Sequence, residues 1–300
     1  MTTPLSNDAG FSLPELLVST IVLGAILGVV TQLLLVTTNG QRTMWNRTQM
    51  HSGVRGATEL MQQEIGQAGL ITLPAPVTLT GVVPVLGVNT VSVNSTAGMF
   101  VGEKLTVGTD NNEETITVTA IGAGTVTAYF ANPQPSGAPV RVFGGFASGV
   151  VPPNLANGST GIVLKLFGDI NSDGQMVYLE YSCDLAQGRL YRNMMAWDAA
   201  SKPAVTASQI LLTNIVANPG GTACFTYQTE TAGVRTFVTG VAITLSVRTE
   251  QINHFTKQFQ VETKALLNVA PRNVVHVWQL ASLGLTNRVQ TTPTVTANLF

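Results

Sequence analysis

The 21 residues from Leu16 to Val36, LLVSTIVLGAILGVVTQLLLV, carry no charged side chain. At about 1.5 Å per helical residue the run is about 30 Å long, the thickness of a bilayer's hydrocarbon layer. In hydrocarbon every backbone amide must find its partner inside the protein, and a single crossing meets that demand only as an α-helix. The chain is therefore expected to cross a membrane once. A cleaved secretory signal would have a shorter apolar region followed by small residues, whereas Ala9 and Gly10 precede this one. One acidic residue, Glu15, stands at the mouth of the run. An ionised carboxylate beside hydrocarbon costs on the order of a few kcal/mol, so it persists with a partner or a function. The first Lys or Arg is Arg42, beyond the run, so charge alone does not orient the helix.

Past the apolar run the pattern narrows to one stripe. Met50, Val54, Ala57, Met61, Ile65 and Ala68 recur at steps of four, three, four, four and three, which places them on one helical face. Arg47, His51, Arg55, Glu59 and Glu64 fall mostly off it. Asn39-Gly40 would loosen a join, but the pattern favours one helix from about Phe11 to about Gln67, capped at Gly69 and stopped by Pro74. Residues 11–38 would be membrane-spanning, residues 39–70 an amphipathic continuation, and residues 71–300 a β domain.

From residue 75 Val, Thr and Ile alternate with polar residues and break at Gly- and Asn-rich turns, the signature of short antiparallel strands. Residues 76–143 read as an inserted small β module between Pro74-Ala75-Pro76 and FGGFASGVVPPN. The clearest hairpin comes late. Phe237, Thr239, Val241, Ile243, Leu245 and Val247 form one strand face, Phe255, Phe259 and Val261 the matching face of its partner, and the loop lies at Glu250 to Asn253. The threonine-rich end, LTNRVQTTPTVTANLF, reads as frayed. A helix with one apolar stripe and a sheet with one apolar face bury each other, so the fold class is α+β: a long N-terminal helix packed on an antiparallel β-sheet domain.

Composition removes several functions. Only 10% of residues are charged and the formal net charge is -1, without the basic excess that nucleic-acid binding requires. The three histidines, His51, His254 and His276, are scattered, and no G-x-S-x-G, H-E-x-x-H or Walker loop occurs, so no enzyme is expected. DINSDGQMVYLE satisfies the D-x-[DN]-x-[DN]-G-x5-E calcium-loop spacing through Asp169, Asn171, Asp173, Gly174, Gln175 and Glu180. Its flanks read as strands, so a hairpin turn needing no metal and a β loop holding a structural calcium are both open. Cys183 and Cys224 are not spaced as a CxxC pair, and one bridge or two free thiols fit equally. Cys183 shares a strand face with Val177, Leu179 and Tyr181, whereas Cys224 falls opposite Phe225 and Tyr227, which weakens the bridge. Trp45, just beyond the apolar run, suits an interfacial anchor.

GFSLPELLVSTIVLGAILG resembles the class III signal of type IV pilins and type II secretion pseudopilins. There a short leader ends in Gly, Phe follows, a Glu lies five residues into the mature chain, and the membrane run begins without a gap. Gly10, Phe11 and Glu15 occupy those positions. The resemblance implies that a prepilin peptidase removes residues 1–10 by cutting between Gly10 and Phe11, and that Phe11 is N-methylated. It also implies that Glu15 pairs with the α-amino group of a neighbouring subunit in a filament core. ATELMQQEIGQAGL and VETKALLNVAPRN look like the helix end and last strand of PilW-like minor pilins and the related J-type pseudopilin. The implied partners are other major and minor pilins or pseudopilins, the prepilin peptidase, an inner-membrane assembly platform and the membrane lipid. The implied location is the inner membrane with the C-terminal domain in the periplasm, then the pilus or pseudopilus. The rival expectation is a membrane-anchored periplasmic binding or adhesive β protein that joins no filament.

Overall fold

The computed structural model describes residue 10 and residues 12–300. Helix α1 runs Leu13–Gln67, 55 residues, and the described chain divides into two compact units. One contains α1 up to Met50 together with Thr249–Gln260; the other contains His51–Arg248 and Val261–Phe300.

In the first unit every residue from Ser12 to Thr38 is exposed, on all sides of the helix. Among the described residues this is the one helix long and apolar enough to cross a bilayer. Its polar side chains are partly neutralised locally: the Thr20 and Thr31 hydroxyls donate to the carbonyls of Leu17 and Leu27, at 2.9 and 2.8 Å. Beyond Thr38 a covered stripe begins at Asn39, Gly40, Thr43 and Asn46, the turns that face the loop Thr249–Gln260.

The second unit opens with the end of α1. Val54, Ala57, Met61, Ile65 and Ala68 are buried, as the stripe spacing predicts. At the helix end Gly69 takes φ +85, a conformation cheap only for glycine, and its amide donates to the Phe167 carbonyl at 2.8 Å. A Cβ on Gly149 would lie 2.4 Å from the backbone of Gly69. The helix end and the sheet therefore meet backbone to backbone.

Strands β1 (Val77–Thr78), β2 (Gly87–Ser92), β3 (Lys104–Val107), β4 (Glu114–Gly122), β5 (Thr125–Phe130) and β6 (Pro139–Val142) form a six-stranded sheet in the order β1-β6-β3-β4-β5-β2. It has its own core, with Leu79, Leu105, Val107, Val118, Val126 and Phe130 buried. After the short β7 (Gly145–Phe146) come β8 (Val163–Gly168), β9 (Val177–Asp184), β10 (Arg189–Ala196) and β11 (Ile210–Thr213), a four-stranded sheet in the order β11-β10-β9-β8. Next are β12 (Ile215–Val216), β13 (Phe225–Ala232), β14 (Arg235–Arg248) and β15 (Val261–Val269), with β12 and β13 on one edge of β14 and β15 on the other. All of these pairings are antiparallel; a final β16 (Val289–Gln290) pairs parallel with β7.

Three expectations need correction here. The partner of β14 begins only at Val261, so Phe255, Phe259 and His254 sit on a loop spanning Thr249–Gln260, and Val261 is exposed. Turn chemistry overrides the apolar alternation: the Asn253 carboxamide accepts from the Phe255 and Thr256 amides, and Thr249 and Gln260 close the loop base at 2.8 Å. The C-terminal end is not frayed. Helix α2 (Arg272–Ser282) lays Val274 and Val277 against Phe237, while after the short helix α3 (Thr294–Ala297) Leu299 is buried beside Tyr178. Glu64, assigned to the polar side of α1, is buried.

Glu103 is a buried acid inside this unit. One carboxyl oxygen accepts from the Phe100 amide at 3.3 Å, and the other has no hydrogen-bond partner. Burial pushes its pKa up to about 8, against a weaker opposing pull from the Phe100 amide. The folded state therefore holds a proton that the unfolded chain releases near 4.5, so stability falls as pH rises between 4.5 and about 8 and levels off above. Glu103→Gln should remove that slope and stabilise the protein at pH 8 by about 1–3 kcal/mol, the remainder being spent on burying an imperfectly paired amide. Thermal melts of both proteins from pH 4 to 9 check this; parallel pH profiles would refute it.

Candidate functional site

Glu15 lies in the first turn of α1, where the exposed N–H groups of a helix favour an anion. It is ringed by exposed apolar residues, Leu13, Leu16 and Leu17 among them. The nearest cation on α1, Arg42, is 27 residues further along, about 40 Å of helix. Among the charged side chains of α1, no cation lies within reach of Glu15. Gly10 is exposed; Phe11 and residues 1–9, which carry the cleavage and methylation expectations, lie outside the described residues.

At its other end α1 is locked by a carboxylate that the sequence pattern did not mark. Tyr181 and Arg192 are directly paired across β9 and β10, so their side chains emerge together toward the helix. The Tyr181 hydroxyl donates to one Glu64 oxygen; Arg192 reaches the same carboxylate through Nε, at 3.0 and 3.3 Å, and through Nη2. Burial, then the charge and hydrogen bond of Glu64, hold the Tyr181 hydroxyl protonated far above its ordinary range. Burial pulls Arg192 down, and Glu64 with Tyr181 more than reverses that, so the guanidinium stays cationic. Beside this cluster opens a polar cleft of about 630 Å³ between the helix and the Ile170–Ser172 turn, with Gln63, Gln67 and Arg272 on its walls. The arrangement fixes the helix against the sheet.

The calcium-spacing residues take separate jobs. Asp169 is buried, and its oxygens accept from the Asp173 and Gly174 amides, at 3.1 and 3.0 Å, and from the Thr72 hydroxyl at 2.9 Å. Asp173 accepts from the Gln175 amide, and Asn171 points its amide at the Met194 sulfur. Glu180 is drawn away along β9, accepting from Tyr178 and Lys202, both at 2.6 Å, with Lys165 at 3.8 Å. The loop is thus an Asx-type turn whose acids are already satisfied by donors. Among the described residues no group of three or more His, Cys, Asp and Glu side chains is arranged to hold a metal ion.

Cys183 and Cys224 are joined by a disulfide, and both are buried. Cys224 falls one residue before β13, so strand alternation does not govern where its side chain points. The bridge ties the β8–β11 sheet to the start of β13 across 41 residues of sequence. Cys183→Ser with Cys224→Ser is expected to cost about 2–4 kcal/mol, mainly by freeing the unfolded chain. Urea melts of the full chain in detergent, with and without reductant, test this; the reductant should destabilise only the native protein.

Compared with models of protein families the chain matches none, and no curated protein matches it.

Proposed function

We propose that the chain is a minor pilin or pseudopilin: a non-enzymatic subunit that docks through its N-terminal helix into a type IV pilus or type II secretion pseudopilus and helps to initiate or cap assembly. The observation that carries the reading is the division of α1, apolar and uncovered on every side up to Thr38, then striped and built into the β domain from Val54 to Ala68. A helix that is hydrophobic all round needs an apolar surrounding, and a bilayer and a filament core supply the same one in turn. Glu15, with no cation of its own helix in reach, suits a partner that arrives with another subunit. The buried disulfide supports folding in an oxidising compartment, which fits a periplasmic C-terminal domain.

The test is the mature N-terminus, read by mass spectrometry from cells with and without prepilin peptidase. The expected chain begins at Phe11, carries one added methyl group and requires the peptidase. An intact Met1, or a cut beyond residue 36, would overturn the reading and favour a membrane-anchored or secreted β protein that joins no filament.

A further inference from the structure

The loop Thr249–Gln260 belongs to the same compact unit as the apolar part of α1 and packs on the turns that follow it. Asn39, Thr43 and Asn46, spaced i, i+4 and i+7 on one helix face, line shared cavities with Gln251 and Ile252. Those turns begin three residues after Val36, about 4.5 Å further along the axis, and end near 15 Å. A headgroup layer is about 5–7 Å deep on each side of the hydrocarbon, so the loop's contacts with the helix start within that layer and run past it.

The loop's shape is fixed from within. Thr249 and Gln260 bond at its base, Asn253 and Gln258 across its middle at 2.9 Å, and the Asn253 side chain caps the tip. This scaffold presents Ile252 at 51% and Phe255 at 58% exposure; on the helix turns at this level Met44 and Trp45 are 74% and 72% exposed. Large apolar side chains left exposed on a loop and on the helix turns that carry it mark a surface for an interfacial partner. The charges around them are Arg42, Arg47 and Lys257 against one acid, Glu250. Aromatic and aliphatic side chains set among cations match the chemistry of an interfacial, monotopic membrane contact.

We infer that the loop Thr249–Gln260, with the Arg42–Arg47 turns of α1, forms a second membrane contact that seats Ile252, Phe255 and Lys257 in an anionic headgroup layer. The inference rests on α1 crossing the bilayer, as in the proposed function. Such a contact would fix the rotation of α1 about its own axis, because only one face of the helix carries the loop.

The experiment uses the full chain in vesicles of phosphatidylethanolamine and phosphatidylglycerol, with an environment-sensitive fluorophore on Phe255→Cys or, separately, on Leu27→Cys. The native cysteines are bridged, so the label goes to the introduced thiol. Nitroxide lipids carrying the quencher at the headgroup should quench the Phe255→Cys label several-fold more than lipids carrying it at the chain end, and the order should reverse for Leu27→Cys. Phosphatidylcholine vesicles should reduce the first effect and leave the second. If Leu27→Cys is quenched and Phe255→Cys is not, the loop faces water or a second copy of the chain and the inference is overturned. Quenching of Phe255→Cys that is the same in phosphatidylcholine removes the anionic headgroup from it. If neither label is quenched, the membrane-spanning reading itself has failed.

Discussion

Arg192→Met is expected to destabilise the protein by about 3–5 kcal/mol, because it leaves the Glu64 carboxylate buried without its counter-charge. The effect is large for a reason the geometry makes specific. Glu64 is only 5% exposed, so water cannot replace the guanidinium, and Tyr181 alone supplies one donor where Arg192 supplies several. Removing both charges should be far milder. In Glu64→Gln with Arg192→Met the Tyr181 hydroxyl keeps an amide oxygen as acceptor and no charge is stranded, so most of the loss should return. Urea melts of the single and double variants in detergent form the cycle; additive losses, with no recovery in the double variant, would refute a coupled buried pair. The cluster holds the buried half of α1 at one height and rotation against β9 and β10. Loosening it should therefore expose the stripe from Val54 to Ala68 before the six-stranded sheet, with its separate core, is affected.

How far the sequence discloses this molecule depends on which interaction decides each element. Helix α1 is legible end to end because one dominant force acts in each half: an uncharged run of bilayer length, then a stripe of period 3.6 whose members are all buried. The long strand β14 is plain in part: Val241, Ile243 and Leu245 are buried on one face, while a register shift opposite Gln228–Thr229 takes Phe237 out of that alternation and against α2. Elements decided by local hydrogen bonds are not legible in the same way. The apolar residues of the Thr249–Gln260 loop imitate a strand, and only the Asn253 side chain, capping two amides, says otherwise. Helix α2 obeys the same periodicity: Val274, Val277, Trp278 and Ala281 repeat at i, i+3, i+4 and i+7, and all four pack in one cluster. Glu64 illustrates the opposite limit. A glutamate beside an apolar stripe reads as solvated until Tyr181 and Arg192 are known to be cross-strand neighbours, and that register is a tertiary fact. The spacing around Asp169 was fully satisfied as a pattern, yet spacing cannot say that Glu180 has been drawn to two lysines.

If the chain docks into a filament as proposed, Glu15→Val should leave it in the membrane and remove it from that filament. The two halves of that expectation come from different energies. Replacing a carboxylate by an aliphatic side chain at the mouth of an apolar helix relieves a cost on the order of a few kcal/mol, so membrane retention should hold or improve. In a filament the same change would leave the neighbour's α-amino group charged in an apolar surrounding, a penalty of about 3–5 kcal/mol that lowers incorporation by roughly two to four powers of ten. Local alternatives do not produce this split. If Glu15 served only to mark the membrane interface or to favour the helix N-terminus, its loss would cost about 0.3–1 kcal/mol of helix stability, and incorporation would scarcely change. The measurement is the ratio of variant to native chain in sheared filaments or co-purified pilin complexes, set against the same ratio in the membrane fraction. Equal ratios in both fractions would refute a pairing role for Glu15. A collapse confined to the filament fraction would support the pairing role, since no side-chain cation of α1 comes within about 40 Å of this carboxylate.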